Sequence, residues 1–276
     1  MVVRAASSFS AEKRLQAVGV LLVALWLLAV LGGPALAGAL GLSLNPHGHS
    51  HLYAHGHPFV DARVLWGVPN ALDVLSNLPL AVAGLCGGWA MGRCRIDAQV
   101  RPALHMFFAG LVLTALGSAW YHWSPDPMGL VWDRLGMGVA FAGALALAVA
   151  ERVSARAAVL ALCAVLPMAM TSAVLPVVQG NVLPWAVVQF GGMLLFVWLA
   201  LQPAAARAMG VRLGLLVALY AVAKLLEIGD EAVFHGTGGL VSGHSLKHVV
   251  AALTAWPVVQ AMRQNARAAG FTRAPA

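Results

Sequence analysis

The chain alternates long apolar runs with short polar breaks. Eight runs predict membrane-crossing helices, at about 15–39, 69–92, 102–122, 129–150, 156–175, 183–201, 211–231 and 242–262. A run of roughly 18 or more apolar residues has the length a helix needs to cross the hydrocarbon core. The breaks carry turn chemistry: "NPHGH", "GRCRIDAQVRP", "SPDPMG", "PVVQGNVLP", "QPAAARAMG" and "HGTGG". They are rich in the Gly, Pro, Asn and Asp that interrupt helices. None of these loops has room for a soluble domain, and the closing "RQNARAAGFTRAPA" reads as a polar tail.

The cations between the runs predict an orientation. Arg4, Lys13 and Arg14 precede or open the first run. Arg93, Arg95 and Arg101 sit in the second loop, Arg152 and Arg156 in the fourth, and Arg207 and Arg212 in the sixth. Arg263, Arg267 and Arg273 belong to the tail. With eight spans, 13 of the 17 Lys and Arg residues fall on one side. The opposite loops hold Arg63, while Arg134, Lys224 and Lys247 lie inside spans. Because cytoplasmic loops carry the excess of Lys and Arg, both termini are expected in the cytoplasm.

Composition agrees. The sequence is 61% hydrophobic and 10% charged, against about 25% charged in soluble domains, so most of the surface must face lipid. The formal charge of +7 is the positive-inside bias and does not argue for a nucleic-acid partner. Cys86, Cys94 and Cys163 lie in or beside apolar segments, which implies packing thiols and no disulfide framework. "PALAGA" in the first run resembles a signal-peptide cleavage site. That run is longer than a signal core, which favours a retained helix, and the other seven keep their orientation either way.

Polar residues converge when the chain is threaded through this topology. The third span runs outward, placing Ser118 and His122 near its outer end, and Asp133 lies near the outer start of the fourth. The seventh ends outside with Glu227, Asp230 and Glu231. The eighth begins with "GHSLKH", placing His244 and His248 at the same face. Residues four apart share a helix face, so His244 and His248 can present two imidazoles to one ion. Ser118 and His122 point together for the same reason. Ionisable groups in membrane helices cost roughly 2.5–3.5 kcal/mol on insertion scales and mark function by default. Three imidazoles suit zinc, with a fourth position open for water. A lone HxxxH is weak evidence, as is a lone serine, which usually bonds its own helix backbone. The joint occurrence of Ser118, His122, Asp133, His244 and His248 on one face carries the argument.

"SAWYH", Asp133 eleven residues after His122, and "HSLKH" late in the chain resemble the signature of the alkaline ceramidases. These belong to a superfamily of seven-helix membrane hydrolases that also holds the adiponectin and progestin receptors and the proteins that remodel GPI-anchor lipids. "NALDVLSNLPL", residues 70–80, is similar to the segment opening the first core helix of that family. The resemblance implies an all-α integral membrane protein: a seven-transmembrane-helix hydrolase core with one extra N-terminal transmembrane helix. Its divisions would be residues 1–66 (first helix and His-rich outer loop), 67–264 (core) and 265–276 (cytoplasmic tail). It implies His122, His244 and His248 as Zn2+ ligands, Asp133 as the base and Ser118 as stabiliser of the oxyanion or of the metal-site network. The implied reaction is zinc-dependent hydrolysis of a ceramide-like lipid amide, or less readily an ester, with substrate entering from the bilayer on the non-cytoplasmic side.

The sequence also departs from that family. Animal ceramidases carry an acidic calcium-binding segment before the first core helix. Here that region offers Asp61, Asn70 and Asp73 and few other carboxylates, fewer than the six to eight oxygens calcium takes. Lys224 and Glu227 are spaced to pair, and Asp230, Glu231 and His235 either line the mouth or form a solvated loop. "HGHSHLYAHGH", residues 47–57, holds five of the ten histidines, either for metal capture or as a solvated loop. Two other functions compete. A zinc transporter would need ligands near the midplane, whereas these gather toward one face. A lipid-sensing receptor would need more than the short cytoplasmic loops present. No protein partner is predicted.

Overall fold

Six helical stretches are long and apolar enough to cross a membrane: Ala11–Ala39, Ala71–Met91, Arg101–Trp123, Pro127–Arg152, Ala155–Gln179 and Leu183–Ala200. The computed structural model describes residues 2–41 and 59–268, and no β-strand occurs among them. In chain order the helices are α1 (Val2–Ala39), α2 (Ala71–Leu75), α3 (Leu78–Met91), α4 (Arg101–Trp123), α5 (Pro127–Arg152) and α6 (Ala155–Gln179). Then follow α7 (Leu183–Ala186), a π-helical turn (Val187–Gly191), α8 (Gly192–Ala200), α9 (Leu213–Ile228), α10 (Asp230–Gly236), α11 (Gly243–Ala252) and α12 (Ala255–Ala268).

Eight continuous spans were expected, and the last two are broken. α9 has 16 residues, about 24 Å at 1.5 Å per residue, and stops at Gly229 before the acidic start of α10. The eighth run divides into α11 and α12. Pro257 lacks the N–H that would bond Leu253 and its ring crowds that carbonyl, so the helix breaks at Leu253–Thr254. The same rule separates α2 from α3: Pro79 disrupts the bond to Leu75, where α2 ends. Both broken runs still travel between the two ends of the bundle. α9 starts beside a loop tied to Glu151 at the end of α5, and Leu240 beyond α10 accepts from Arg63 at the other end.

Apolar surface faces outward in stripes. Leu78, Val82, Leu85 and Trp89 follow one side of α3, and Leu113, Leu116 and Trp120 follow one side of α4, all exposed. Contiguous exposed apolar surface of this extent marks contact with a membrane or partner, which agrees with the six membrane-length helices and a membrane protein. α1 is exposed along most of its length. Hydrogen bonds tie it to the bundle from Trp26 Nε1 to Ser172 Oγ (2.8 Å), from Asn181 Nδ2 to the Ala29 carbonyl (2.8 Å) and from Ser154 Oγ to Glu12 (2.9 Å).

The α4–α5 pair is the tightest in the bundle and positions the site. Gly110 and Gly117 on α4, and Gly136 and Gly143 on α5, stand two turns apart on their respective faces. A methyl at any of them would overlap backbone of the opposite helix. Small residues allow this approach, since packing rather than hydrophobicity joins helices in lipid. Asp126 caps α5 by accepting from Gly129 N (2.5 Å), with Pro127 at the first helical position. This sharp start turns the chain back at once from α4.

Candidate metal centre

The last turns of α4 meet the first turns of α11. His122 lies one residue before the end of α4, with Ser118 a turn earlier. Ser242 caps α11 by accepting from Ser245 N (3.0 Å), which starts the helix just before His244 and sets His248 one turn on. Gly243 makes this entry possible, because a side chain there would overlap the Leu226 carbonyl of α9. Asp230 Oδ1 then accepts the backbone N–H of His244 at 2.7 Å.

These elements bring His122, His244 and His248 together, all buried, with their ligand nitrogens within 4.8 Å of one another. The Nε2 atoms of His122 and His244 are 3.0 Å apart, near the roughly 3.3 Å spanned by two ligands on a tetrahedral zinc at 2.0–2.1 Å. Ser118 Oγ is 3.5 Å from His248 Nε2, and Ser118 and Asp133 line the same cavity. Three neutral nitrogens with no carboxylate interposed can hold a metal ion. All five residues singled out from the sequence therefore lie at one place, with Ser118 and Asp133 on the cavity that His248 also lines.

Several residues support the histidines in ways not read from the sequence, where Asn70 and Asp73 were weighed only for calcium. Ser76, between α2 and α3, donates to the Asp73 carbonyl (3.1 Å) and lies 2.8 Å from His248 Nδ1. A hydroxyl has one proton, so with that proton on Asp73 the oxygen accepts Nδ1–H, and Nε2 keeps its lone pair for the metal. The Asp73 carboxylate accepts from Ser242 (3.1 Å) and Ser245 (2.6 Å), tying α2 to the start of α11. Asn70, at φ 46°, donates to the His122 carbonyl at 2.7 Å and satisfies the end of α4. Phe59 packs its ring 4.6 Å from that of His122 and is itself buried. Of the residues weighed for calcium, Asp61 is turned to Arg63 (2.7 Å), and Asn70 and Asp73 have the partners just named. The hydrogen bond to Asp61 raises the Arg63 pKa, with burial opposing it. Arg63 also donates to the Leu240 carbonyl (3.1 Å) and lies over Phe234, tying the segment before α2 to α10 and the turn after it.

A cavity of about 220 Å³ opens from His248, Ser118 and Asp133. Its inner walls are apolar, with Leu80, Phe107, Leu111, Met193, Phe196 and Leu216 among them. Along α4 it reaches from Ser118 to Phe107, about 16 Å of helix. Asp133 is surrounded by protein yet keeps half-buried access through this cavity. The wall formed by α9 and α11 is different, carrying Tyr220, Lys224, Glu227 and Lys247. Glu227 pairs with Lys224 and, at 2.8 Å, with Lys247.

The remaining acidic positions separate. Asp230 is buried under His244, whereas Glu231 and His235 form an exposed pair at 3.6 Å. The His-rich stretch 47–57 lies outside the described residues. Compared with models of known protein families and with curated proteins, the chain matches none of them.

Proposed function

We propose that the protein is a zinc-dependent intramembrane hydrolase that cleaves the amide bond of a ceramide-like lipid. The observation carrying this reading is a cluster of three buried histidines, one of which, His248, lines a largely apolar cavity together with Ser118 and Asp133. When bound, zinc supplies a Lewis acid for the scissile carbonyl and water acidified toward neutrality. Asp133 takes the proton of the attacking water and passes it to the leaving amine. Ser118 donates its hydroxyl to the oxygen that gains charge. The Phe59 side excludes bulk water, while the apolar walls beyond Ser118 take the acyl chain. The ordered motifs resembling the alkaline ceramidases support the same reading, and the apolar runs and the cations between them support eight spans with both termini cytoplasmic.

Cation transport fits the cavity poorly, since an ion leaving the histidines inward would pass Lys224 and Lys247. The test is purification with metal analysis, followed by labelled N-acyl sphingoid and phospholipid substrates. His244→Ala should lose both zinc and turnover. Asp133→Asn should keep zinc and lose turnover by about 100-fold or more, the low end for general base catalysis. A fully active Asp133→Asn protein would sink the assignment of the base, and a protein that binds no metal would sink the whole reading.

A further inference from the structure

The wall formed by α9 and α11 holds more charge than ion pairing requires. Tyr220, Lys224 and Glu227 stand four and three residues apart, on one face of α9, and all line the cavity. Lys247 joins them from α11, beside His248. Glu227 accepts from both lysines, so two ammonium groups share one carboxylate. Asp133 lines the same cavity from α5. Each charge in such a segment is costly, and here two ammonium groups contact a single carboxylate. Lys224 and Lys247 keep 31% and 19% of their side-chain surface accessible. Both line the cavity, and an ammonium has three donors. Tyr220 already accepts from Gln189 (3.3 Å), which leaves its hydroxyl proton to donate.

We propose that Lys224, Lys247 and Tyr220 form a subsite for an anionic group, a phosphate or carboxylate, on the amphiphile that fills the cavity. Glu227 holds the two ammonium groups in place and restrains their mutual repulsion. The two ammonium groups, with Glu227 as their one shared carboxylate, favour an anionic lipid over its neutral counterpart. This rests on the cavity being the lipid site, but not on bond cleavage there.

The test uses the full-length, metal-loaded protein in neutral phosphatidylcholine nanodiscs. Three amphiphiles of one chain length are compared: an alkyl phosphate, a fatty carboxylate and an alkyl alcohol. At least one anionic probe should bind about tenfold or more tighter than the alcohol, the scale of a charge-assisted hydrogen bond. Stronger phosphate binding would indicate a phospholipid head, and stronger carboxylate binding the acid released by amide cleavage. Lys224→Gln should bring the ratio close to one and Lys224→Arg should restore it. Lys247 still pairs Glu227 in the Gln variant, and an equal metal content shows that the neighbouring site is intact. Equal binding of all three probes by the wild type, or an unchanged ratio in Lys224→Gln, would overturn the subsite. A charge preference without cleavage of any lipid amide would keep the subsite and remove the hydrolase reading.

Discussion

Ser76 links a local turn to the metal centre through one proton. Its donation to the Asp73 carbonyl leaves the oxygen to accept from His248 Nδ1, which fixes the ring and its tautomer. Partners of this kind typically contribute 10–100-fold to metal affinity. Ser76→Ala should therefore weaken zinc binding by about that factor in a chelator competition, and Ser76→Thr should recover most of it. Unchanged affinity in Ser76→Ala would remove the positioning role. The histidines were legible because four-residue spacing, end placement and rarity of charge all pointed to them. The role of Ser76 was not, because a serine at a helix break is ordinary turn chemistry, and Asp73 and Asn70 were weighed only for calcium. Only the packing of α2 against α4 and α11 shows that Asp73 holds two serines of α11 and Asn70 holds the His122 carbonyl.

Between elements, backbone proximity does work that side-chain patterns conceal. Gly117 faces the Trp132 carbonyl and Asp133 N, so a methyl there must push α5 away from α4. Gly117→Ala should lower turnover by about 100-fold, the cost of roughly an ångström of misplacement. Gly88→Ala, whose added methyl meets open space, should leave turnover unaltered. At the opposite end of α5, buried Glu151 accepts from the N–H groups of Met209 (2.8 Å), Gly210 (2.9 Å) and Val211 (2.9 Å). Glu151→Gln removes one acceptor and turns amide donors toward those groups. It should destabilise the protein by about 2–3 kcal/mol, the range for buried groups left unpaired, read as a lower melting temperature with unchanged zinc content. Apolar run length revealed most helices but not these contacts. It also overstated the continuity of the last two runs, since run length registers neither the stop of α9 at Gly229 nor the break that Pro257 imposes between α11 and α12.

Across the whole molecule, the basic loops gather at the end away from the histidines. Glu151 binds the 209–211 loop, Arg212 bonds Gln260, Arg263 lies near Cys94, and Ser154 donates to Glu12 (2.9 Å). Asp61, Arg63 and Leu240 mark the other end. This segregation arises from helix connectivity, yet it places Arg93, Arg95, Arg152, Arg207, Arg212 and Arg263 in loops and helix ends that meet there. An excess of cations on one side fixes orientation during insertion, so the histidine end should face away from the cytoplasm. Single cysteines test this in a background where Cys86, Cys94 and Cys163 are replaced by serine. A membrane-impermeant maleimide added to intact cells should label Leu240→Cys. Arg207→Cys should react only after permeabilisation. The reverse pattern would place the site in the cytoplasm, and labelling of both positions in intact cells would show that the broken run α9–α10 does not carry the chain across the bilayer.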